Sequence, residues 1–399
     1  MIYKTSTISG VCSVVTDGSH YSPKSVDDGC YMVSVKDFTE YGFDFSRCRK
    51  ISDQDYEDLK KAGCVPEYGD ILVGKDGARY FEDIIIYRQP EKPALLSSIA
   101  ILRCNQDEIL PEYLYYLLRT PSYKKDVKDN YGSGSAIPRI ILKDFKRMPI
   151  QYPSLPIQRR IVSVLKVIDA KIQTNIKIND NLEQQAQSYF QELFVDNADP
   201  EWTVGTISDL GTVVGGSTPS KAKPEYYTES GIAWITPKDL SINKSKFISH
   251  GENDITELGL KNSSASIMPE GTVLFSSRAP IGYIAIAAGE VTTNQGFKSV
   301  IPKPEIGTPF VYFFLKHNLP FIEGMASGST FKEVSGSTMK NIPATIPDVE
   351  TLARFNDFCT PIFAQQRILE EQSQSLAALR DNLLPKLMSG EVDVSNIQL

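Results

Sequence analysis

Few residue patterns in this 399-residue sequence fit catalysis. Enzymes that methylate the amino group of a base carry an Asn/Asp-Pro-Pro-aromatic motif, and no Pro-Pro dipeptide occurs here. No G-x-G-x-x-G follows a predicted strand, and the G-x-x-x-x-G-K-[ST] loop of nucleotide-driven motors is missing. The sequence therefore argues against methyl transfer and against nucleotide hydrolysis by this chain.

Charged and nucleophilic residues also lack the partners that catalysis needs. Asp58-Leu59-Lys60 and Asp144-Phe145-Lys146 resemble the last part of a metal-nuclease motif. Such tripeptides arise by chance in a chain with 23% charged residues, so we interpret both as solvated surface. Ser277 and His20 have no visible partners for nucleophilic catalysis, and we interpret them as surface or turn residues.

Cysteine and histidine usage predicts a metal-free protein in a reducing compartment. The six cysteines never form a C-x-x-C pair, and the chain has only three histidines. No apolar stretch approaches the roughly 20 residues of a membrane helix, and no secretory signal is visible. We therefore expect a cytoplasmic protein.

Polar, Gly-rich loops are the remaining candidates for function, and they occur at matching places in two parts of the chain. Residues 16–21, 74–79 and 131–139 match residues 215–221, 276–278 and 326–332. Glycine lets backbone amides approach a phosphate closely, while Lys and Arg can reach phosphates or guanine edges. Ordinary turns would have the same composition. Because these loops recur beside Lys or Arg in both copies, nucleic-acid binding becomes as good an interpretation as a simple turn. The matched pairs Lys36-Asp37 and Lys238-Asp239 are interpreted as strand-end turns.

These loops belong to an internal repeat of half the chain. With an offset of 194 residues, the segment 133–194 aligns with 327–388 without a gap, and eleven of the 62 positions are identical. Upstream, Gly29–Phe38 matches Gly231–Leu240 and Gly69–Lys75 matches Gly271–Ser277. Such a repeat predicts two copies of one domain.

Each copy contains short β-type runs followed by a long helix. A Pro-rich hinge ends the strands and opens the helix. A seven-residue repeat over four to five heptads predicts one long coiled-coil helix in each copy, and we place the end of the second at Pro385. The predicted seam positions are Ile161, Ile168, Asn175, Leu182, Tyr189, Phe355, Ile362, Leu369, Leu376 and Leu383.

The charge distribution limits how a nucleic acid could be bound. The net charge is −7, and residues 348–399 alone contribute −4, from 4 basic and 8 acidic side chains. Residues 1–152 and 197–347, which contain the candidate loops, are close to neutral, so any basic patch must be local. We expect a partner to supply part of the phosphate contact.

Several motifs resemble specificity subunits of Type I restriction–modification systems. They are the duplicated half, the loop Thr16-Asp-Gly-Ser-His20, and Gly215-Gly-Ser-Thr-Pro219 followed by Trp234-Ile-Thr. The helix opening Pro153-Ser-Leu-Pro-Ile-Gln158-Arg-Arg-Ile161 and the tail Arg380–Glu391 complete the resemblance, which covers the whole chain. The second helix departs from the pattern, because it opens Pro347-Asp-Val-Glu-Thr-Leu352 without the usual Gln-Arg pair.

The resemblance implies an α+β fold with two mostly-β target-recognition domains joined by two long antiparallel coiled-coil helices. The implied segments are recognition domain 1 (1–152), spacer helix 1 (153–196), recognition domain 2 (197–347), spacer helix 2 (348–390) and a tail packing near domain 1 (391–399).

The resemblance also implies a non-catalytic function. Each domain reads one half of a bipartite site in double-stranded DNA, and the chain directs adenine-N6 methylation and DNA cleavage by partner subunits. The partners are two methylation subunits and restriction subunits. S-adenosylmethionine, ATP and Mg are expected on those partners, and no cofactor on this chain.

Candidate contact residues follow from the loops and from the helix faces. The predicted DNA-binding residues are Thr16, Gly18, Ser19, His20, Lys75, Arg79, Ser133, Ser135, Arg139, Ser217, Thr218, Lys221, Ser277, Arg278, Ser329 and Lys332. The outer helix faces carry little charge, which predicts docking of the methylation subunits at Gln184, Gln187, Gln191, Gln374 and Ala378. Two alternatives stay open: a self-contained methyltransferase or nuclease, and a coiled-coil scaffold whose β domains bind proteins.

Overall fold

The computed structural model describes residues 2–134, 138–278, 280–328 and 332–394. Contacts between Cα atoms divide the chain into two compact units. Unit 1 comprises residues 1–171 and 375–399, and unit 2 comprises residues 172–374. Both long helices contribute to both units. The five segments predicted from the sequence are a different division, which these units do not test, and it stays a prediction.

Unit 1 combines short strands with five short helices and parts of two long ones. Its strands are β1 (Lys4–Thr7), β2 (Cys12–Asp17), β3 (Cys30–Val33), β4 (Arg49–Ile51), β5 (Ile71–Gly74), β6 (Ile84–Ile86), β7 (Ala94–Leu95), β8 (Ile99–Cys104) and β9 (Pro149–Tyr152). Its helices are α1 (Ile8–Val11), α2 (Asp53–Lys61), α3 (Pro111–Arg119), α4 (Pro121–Tyr131), α5 (Leu142–Arg147) and the first part of α6 (Leu155–Gln191).

Unit 2 repeats this order. Its strands are β10 (Thr203–Thr206), β11 (Gly211–Gly215), β12 (Tyr227–Thr228), β13 (Ile232–Ile235), β14 (Phe247–Ile248), β15 (Asn253–Ile255), β16 (Val273–Phe275), β17 (Ile284–Ala287), β18 (Thr292–Thr293), β19 (Lys298–Pro302) and β20 (Pro343–Ile346). Its helices are α7 (Ile207–Leu210), α8 (Pro237–Ile242), α9 (Glu257–Lys261), α10 (Thr308–His317), α11 (Leu319–Gly324), α12 (Gly336–Lys340) and the first part of α13 (Val349–Ser389).

The sheets of the two units correspond strand by strand. The order β2-β8-β5-β6 in unit 1 corresponds to β11-β19-β16-β17 in unit 2, which adds β14 at the edge. The order β4-β3-β7 corresponds to β15-β13-β18, with β3 parallel to β7 and β13 parallel to β18. The ribbon β1-β9 corresponds to β10-β20. The predicted α+β class and the duplication are confirmed.

Buried side chains at heptad spacing hold α6 and α13 together as an antiparallel pair. In unit 2 the Asn175 side-chain amide donates to Gln372 Oε1 at 2.9 Å and to Ser373 Oγ at 3.2 Å. One turn further along α6, Asn179 lies opposite Gln366. Contact positions that rise along α6 therefore fall along α13. The buried seam residues are Ile161, Ile168, Asn175, Phe355, Ile362 and Leu369, whereas Leu182, Tyr189, Leu376 and Leu383 are half-buried.

Gln158 attaches the first long helix to the segment that precedes α3 and to the residue that follows β9. This side chain is fully buried; its amide oxygen accepts from Leu110 N at 2.9 Å, and its amide nitrogen donates to the Glu108 and Pro153 carbonyls. The matching position in α13 is Leu352, which is buried by apolar packing instead. The first turns of the two equivalent helices are thus anchored by different side chains.

The predicted end of α13 at Pro385 is wrong, because the helix continues to Ser389. Proline removes one backbone hydrogen bond. Leu384, Leu387 and Met388 nevertheless bury their side chains in the core of unit 1 and hold the last turn in place. Beyond the helix, Val394 is fully buried in the same core as Ile8, and residues 395–399 lie outside the described residues.

Candidate nucleic-acid interface

Three loops meet at the strand ends of unit 1. Loop A (residues 16–21) begins with the last two residues of β2, and loop B (75–83) joins β5 to β6. Loop C lies between α4 and α5 and comprises the described residues 132–134 and 138–141. Lys75 Nζ lies 3.4 Å from Asp17 Oδ2, which connects loops A and B. Ile140 N donates to the Lys75 carbonyl at 2.9 Å, and Gly77 N donates to the Pro138 carbonyl at 2.9 Å. The three predicted loops therefore form one surface, which we call loop cluster 1.

Most of loop A is structural. Gly18 N donates to the Ile99 carbonyl at 3.0 Å, and a β-carbon on Gly18 would lie 2.3 Å from the Leu95 carbonyl oxygen. Only glycine allows this approach. Ser19 is buried, and its hydroxyl donates to the Tyr21 carbonyl at 2.7 Å. His20 and Tyr21 are the exposed members of the loop, and His20 Nε2 lies 3.4 Å from Asp17 Oδ2.

Two residues of loop C pair with each other through their backbones. Ser133 and Arg139 exchange two backbone hydrogen bonds of 2.8 Å, and Ser133 Oγ donates to the Arg139 carbonyl at 3.1 Å. Both residues are exposed. The paired backbone fixes where the Arg139 side chain begins, at the rim of loop cluster 1. Ser135 lies outside the described residues.

Unit 2 builds its loops with the same backbone hydrogen bonds. Ser277 N donates to the Gly296 carbonyl at 2.7 Å, and Val334 N donates to the Ser277 carbonyl at 2.9 Å. In unit 1 the equivalent bonds run from Lys75 N to the Ser98 carbonyl and from Ile140 N to the Lys75 carbonyl. The described residues of the segments 215–221, 276–283 and 326–334 are called loop cluster 2; residues 279 and 329–331 lie outside the described part of the chain.

One carboxylate that pairs with two cations stabilises loop cluster 2. Arg278 Nε lies 2.9 Å from Glu333 Oε2, and Lys298 Nζ lies 3.5 Å from Glu333 Oε1. Arg278 keeps nearly half of its side chain exposed, whereas Lys298 is largely covered. Glu333 thus holds Arg278 at the surface while neutralising part of its charge.

An amide-rich cleft adjoins loop cluster 2. Its volume is about 370 Å³, and its lining includes Thr218, Lys221, Lys238, Asn253, Asn294 and Gln295. The Thr218 hydroxyl hydrogen-bonds the Gln295 side-chain oxygen. Ser217 N donates to the Thr293 carbonyl at 2.8 Å, which closes the wall of the cleft. Amide, hydroxyl and ammonium groups of this kind match the donors and acceptors on base edges.

Buried ion pairs attach the long helices within each unit. In unit 2, Glu183 accepts from Lys246 Nζ at 2.8 Å and from Lys316 Nζ at 2.6 Å. Burial alone raises the pKa of Glu183, but the charges and hydrogen bonds of both lysines outweigh it and lower the pKa to about 2. In unit 1, Asp169 accepts from Arg380 Nη1 at 2.9 Å and from the Tyr116 hydroxyl at 2.6 Å.

The outward faces of the two helices carry the predicted docking residues. Gln184, Gln187, Gln374 and Ala378 are exposed, while Gln191 is half-buried and donates to Asp196 Oδ1 at 2.9 Å. Large apolar side chains are also exposed on these helices. They are Val167 and Leu379 in unit 1, and Ile176, Ile178, Val349, Phe358 and Ile368 in unit 2.

Metal and membrane sites find no support in the described ranges. No three His, Cys, Asp or Glu side chains there are grouped as a metal site requires. The helices described above include none that is both long and apolar enough to span a membrane.

Comparison with known proteins identifies the family. Two segments, residues 4–184 and 200–386, each match the model of the Type I restriction modification DNA specificity domain. The chain belongs to this family. The two matches cover most of the chain and fall on the two copies of the repeat.

Named relatives agree with this assignment. The chain is similar to the Type I restriction enzyme MjaIX specificity subunit of Methanocaldococcus jannaschii, with 40% identity over 194 residues. That match covers 46% of this chain and 45% of the relative, so it spans less than half of either. The HindI specificity subunit of Haemophilus influenzae is 23% identical over 402 residues, covering 81% of this chain and 86% of the relative.

A solved structure supports the fold. The S subunit of a Type I restriction–modification system from M. genitalium matches with a TM-score of 0.53 and 17% identity, covering 97% of this chain and 96% of that one. Because the identity is low, this likeness concerns the fold alone. The family consists of specificity domains, so the prediction of a specificity subunit without catalytic activity is confirmed at family level.

The structure buries four of the predicted DNA-contacting residues of this specificity-family chain, Gly18, Ser19, Lys75 and Ser277, while contact with DNA itself stays a prediction. Lys75 is only 6% exposed, and its ammonium group pairs with the carboxylates of Asp17 and Asp76. Its charge is therefore neutralised inside loop cluster 1. Ser277 is 0% exposed, and its hydroxyl donates to the Gly296 carbonyl at 3.1 Å. Both side chains support their loops and do not reach the surface. Gly18 and Ser19 have the same supporting role.

The other predicted residues stay candidates. Exposed or half-buried members of the two loop clusters are Thr16, His20, Arg79, Ser133, Arg139, Ser217, Thr218, Lys221, Arg278 and Lys332. Ser329, like Ser135, lies outside the described residues. Contact of these residues with DNA is untested, so their roles stay predictions.

Sequence reasoning missed Glu333, Asn294 and Gln295. The sequence carries no signal for Gln295, because only the folded chain brings it against Thr218, 77 positions away. Lys238 also lines the cleft. Its neighbour Asp239 was predicted to belong to a strand-end turn, but it lies in the first turn of α8. Asp239 Oδ2 accepts from Thr236 N at 2.7 Å and caps α8.

Proposed function

We propose that this chain is the sequence-specific DNA-binding subunit of a Type I restriction–modification complex. Loop cluster 1 reads one half of a bipartite site in double-stranded DNA, and loop cluster 2 reads the other half. The observation that carries the proposal is the same set of three loops, built twice with the same backbone hydrogen bonds. Two similar surfaces on one chain suit two half-sites.

The side chains at the loop rims suit a duplex. Arg139 and Lys221 are exposed, and neither has an ion-pair partner among the described residues. Arg79 is 74% exposed beside Asp83, and Arg278 is partly exposed beside Glu333. Arginine and lysine contact phosphates and guanine edges, while the amides beside Thr218 suit adenine edges.

The partner subunits carry the chemistry in this proposal. Two methylation subunits dock on the outward faces of α6 and α13 and transfer methyl groups to adenine N6. Restriction subunits join the complex and cleave DNA. S-adenosylmethionine, ATP and Mg bind those partners, and the complex works in the cytoplasm. The chain's net charge of −7 supports a partner that supplies further phosphate contacts.

A binding and methylation assay tests the function. The purified chain, the methylation subunits alone and the assembled complex are each mixed with host DNA and labelled S-adenosylmethionine. We expect methyl transfer and sequence-specific DNA binding by the complex only. Methyl transfer by the isolated chain favours the enzyme alternative. Sequence-specific binding that is absent with and without the methylation subunits favours the protein-binding scaffold.

A further inference from the structure

The backbone of loop B contains an unusual conformation at Phe81. Its φ is +61°, and Phe81 is the only residue other than glycine with a positive φ in the described ranges. The β-carbon of a bulky residue is crowded in this left-handed region, so such residues rarely adopt it. Backbone strain of this kind persists only where the surrounding structure enforces it.

The ring of Phe81 supplies that enforcement. The side chain is 0% exposed, and its ring centroid lies 6.3 Å from that of Tyr123 and 6.0 Å from that of Phe145. Phe81 N donates to the Gly74 carbonyl at 2.7 Å, which closes loop B at its base. The ring is therefore held in the core of unit 1 while the backbone turns sharply at the surface.

Unit 2 reaches the same backbone conformation without a ring. Gly282 N donates to the Ser276 carbonyl at 2.9 Å, as Phe81 N does to the Gly74 carbonyl, and the φ of Gly282 is +91°. A β-carbon on Gly282 would lie 2.5 Å from Leu319 Cδ1, so the leucine covers this position instead. Glycine adopts a positive φ without steric cost. The first copy thus accepts strain that the second copy avoids.

The buried ring anchors loop B close to the part of the loop that faces solvent. Loop B is longer than its counterpart, because Gly74 N pairs with the Asp83 carbonyl whereas Ser276 N pairs with the Tyr283 carbonyl. Arg79 lies two residues before Phe81, with Nη2 2.7 Å from Asp83 Oδ1. A longer loop has more conformations to lose, and a buried ring near its end removes many of them.

We propose that Phe81 is the positioning residue of loop cluster 1. Its buried ring holds loop B in the conformation that presents Arg79 to the DNA half-site read by unit 1. This inference rests on the proposed DNA-reading function. Phe81 itself does not touch DNA, and the second half-site does not depend on it.

The test compares Phe81→Ala and Phe81→Gly with wild type in the assembled methylation complex. A random-sequence DNA library is methylated, and base selection at each half-site is obtained by sequencing the methylated molecules. Both variants are expected to relax selection roughly tenfold at one half-site, the size of one lost base contact, and to leave the other half-site unchanged. Phe81→Gly is expected to melt at a higher temperature than Phe81→Ala, because glycine relieves the strain.

Leu114→Ala is the matched control, since Leu114 is also fully buried in the core of unit 1 but lies on α3. It is expected to lower the melting temperature without relaxing selection. Unchanged selection in a folded Phe81→Gly complex overturns the inference, and so does equal relaxation in Leu114→Ala. Wild-type complex that selects no bipartite site contradicts the proposed function instead, so the two failures are distinguishable.

Discussion

At the scale of single residues, cations in the loop clusters fall into two groups. Lys75 and Lys298 are largely covered and hold loops together through Asp17 and Glu333. Arg139 and Lys221 are exposed. An exposed cation that meets a phosphate releases counterions, whereas a covered one acts through loop geometry. Substitutions in the two groups therefore differ in their salt dependence.

Lys221 and Ser277 give a matched pair in loop cluster 2. For Lys221→Ala, we expect weaker DNA binding by the complex on all sequences, and a plot of log affinity against log salt that is shallower by about 1. Ser277→Ala removes one buried hydrogen bond, at a cost of about 1 kcal/mol in stability, and leaves the salt slope unchanged. Fluorescence-anisotropy titrations at several salt concentrations measure both. An unchanged slope in Lys221→Ala excludes a phosphate contact there.

Glu183 gives a pH-dependent prediction in unit 2. Its pKa is lowered from 4.5 to about 2 in the folded chain, so its ion pairs stabilise unit 2 above about pH 4.5. This stabilisation is lost as the pH falls from 4.5 to 2, and its size is about 3 kcal/mol. Glu183→Gln also leaves Lys246 buried without its carboxylate, which is destabilising at neutral pH.

Urea unfolding of wild type and Glu183→Gln from pH 7 to pH 2 measures this effect. The difference between their free energies of unfolding is expected to be largest near neutral pH and to shrink below pH 4.5. Glu370→Gln is the control; its carboxylate accepts from Lys246 N and Phe247 N, and burial raises its pKa. A difference for Glu183→Gln that stays constant across this range shows that the carboxylate is not an ion-pair partner.

At the scale of elements, the outward faces of α6 and α13 combine exposed amides with exposed apolar side chains. Gln187 and Ala378 are solvent-exposed positions on these faces. Apolar residues such as Ile368 are exposed there as well, and a free helix usually presents charged residues to water. The two faces are therefore suited to partner helices.

Gln187→Glu and Ala378→Glu test the docking surface. A charge introduced into a desolvated contact without a partner is costly, so we expect each substitution to weaken assembly with the methylation subunits by 2 kcal/mol or more, about thirtyfold. Lys92→Glu, at an exposed loop position in unit 1, is the control. Analytical ultracentrifugation of the mixtures measures assembly. Complexes that form as well as wild type in both variants remove these faces from the interface.

The elements also show how far sequence patterns reach. Heptad spacing predicted both long helices, because apolar periodicity reports directly on which face is buried. The helix end at Pro385 was mispredicted, since the packing of Leu384 and Leu387 against the core outweighs one lost hydrogen bond. The loops were located by the repeat. The burial of Lys75 was not predictable, because it depends on Asp17, 58 positions away in the sequence, which only the folded sheet brings within 3.4 Å.

At the scale of the whole molecule, the end of the described chain belongs to the core where the chain begins. Val394 is 0% exposed and shares the core of unit 1 with Ile8 and Val11, and Val392 N donates to the Lys386 carbonyl at 3.2 Å. A truncation after residue 390 removes both valines. Loss of one buried valine and its neighbour destabilises a core by about 2–4 kcal/mol.

Deletion of residues 391–399 is therefore expected to loosen unit 1 more than unit 2. Limited proteolysis with mass spectrometry identifies which peptide bonds become accessible first. Early cleavage sites are expected among residues 1–152. Val394→Ala, which shortens a single side chain, serves as a milder version of the same change and is expected to shift the pattern in the same direction. Cleavage that begins in residues 197–347 contradicts the assignment of the tail to unit 1.

In the proposed function, one chain reads two separate DNA sequences through two copies of the same loop cluster. Sequencing of N6-methyladenine in DNA from cells that carry this chain with its methylation subunits tests this proposal. We expect one bipartite motif, with two specific segments separated by a gap of constant length and unselected sequence. Exchange of loop cluster 2 for that of a relative is expected to change one segment and preserve the other. A single contiguous motif, or a methylation pattern that is the same without this chain, would show that the chain does not read two half-sites.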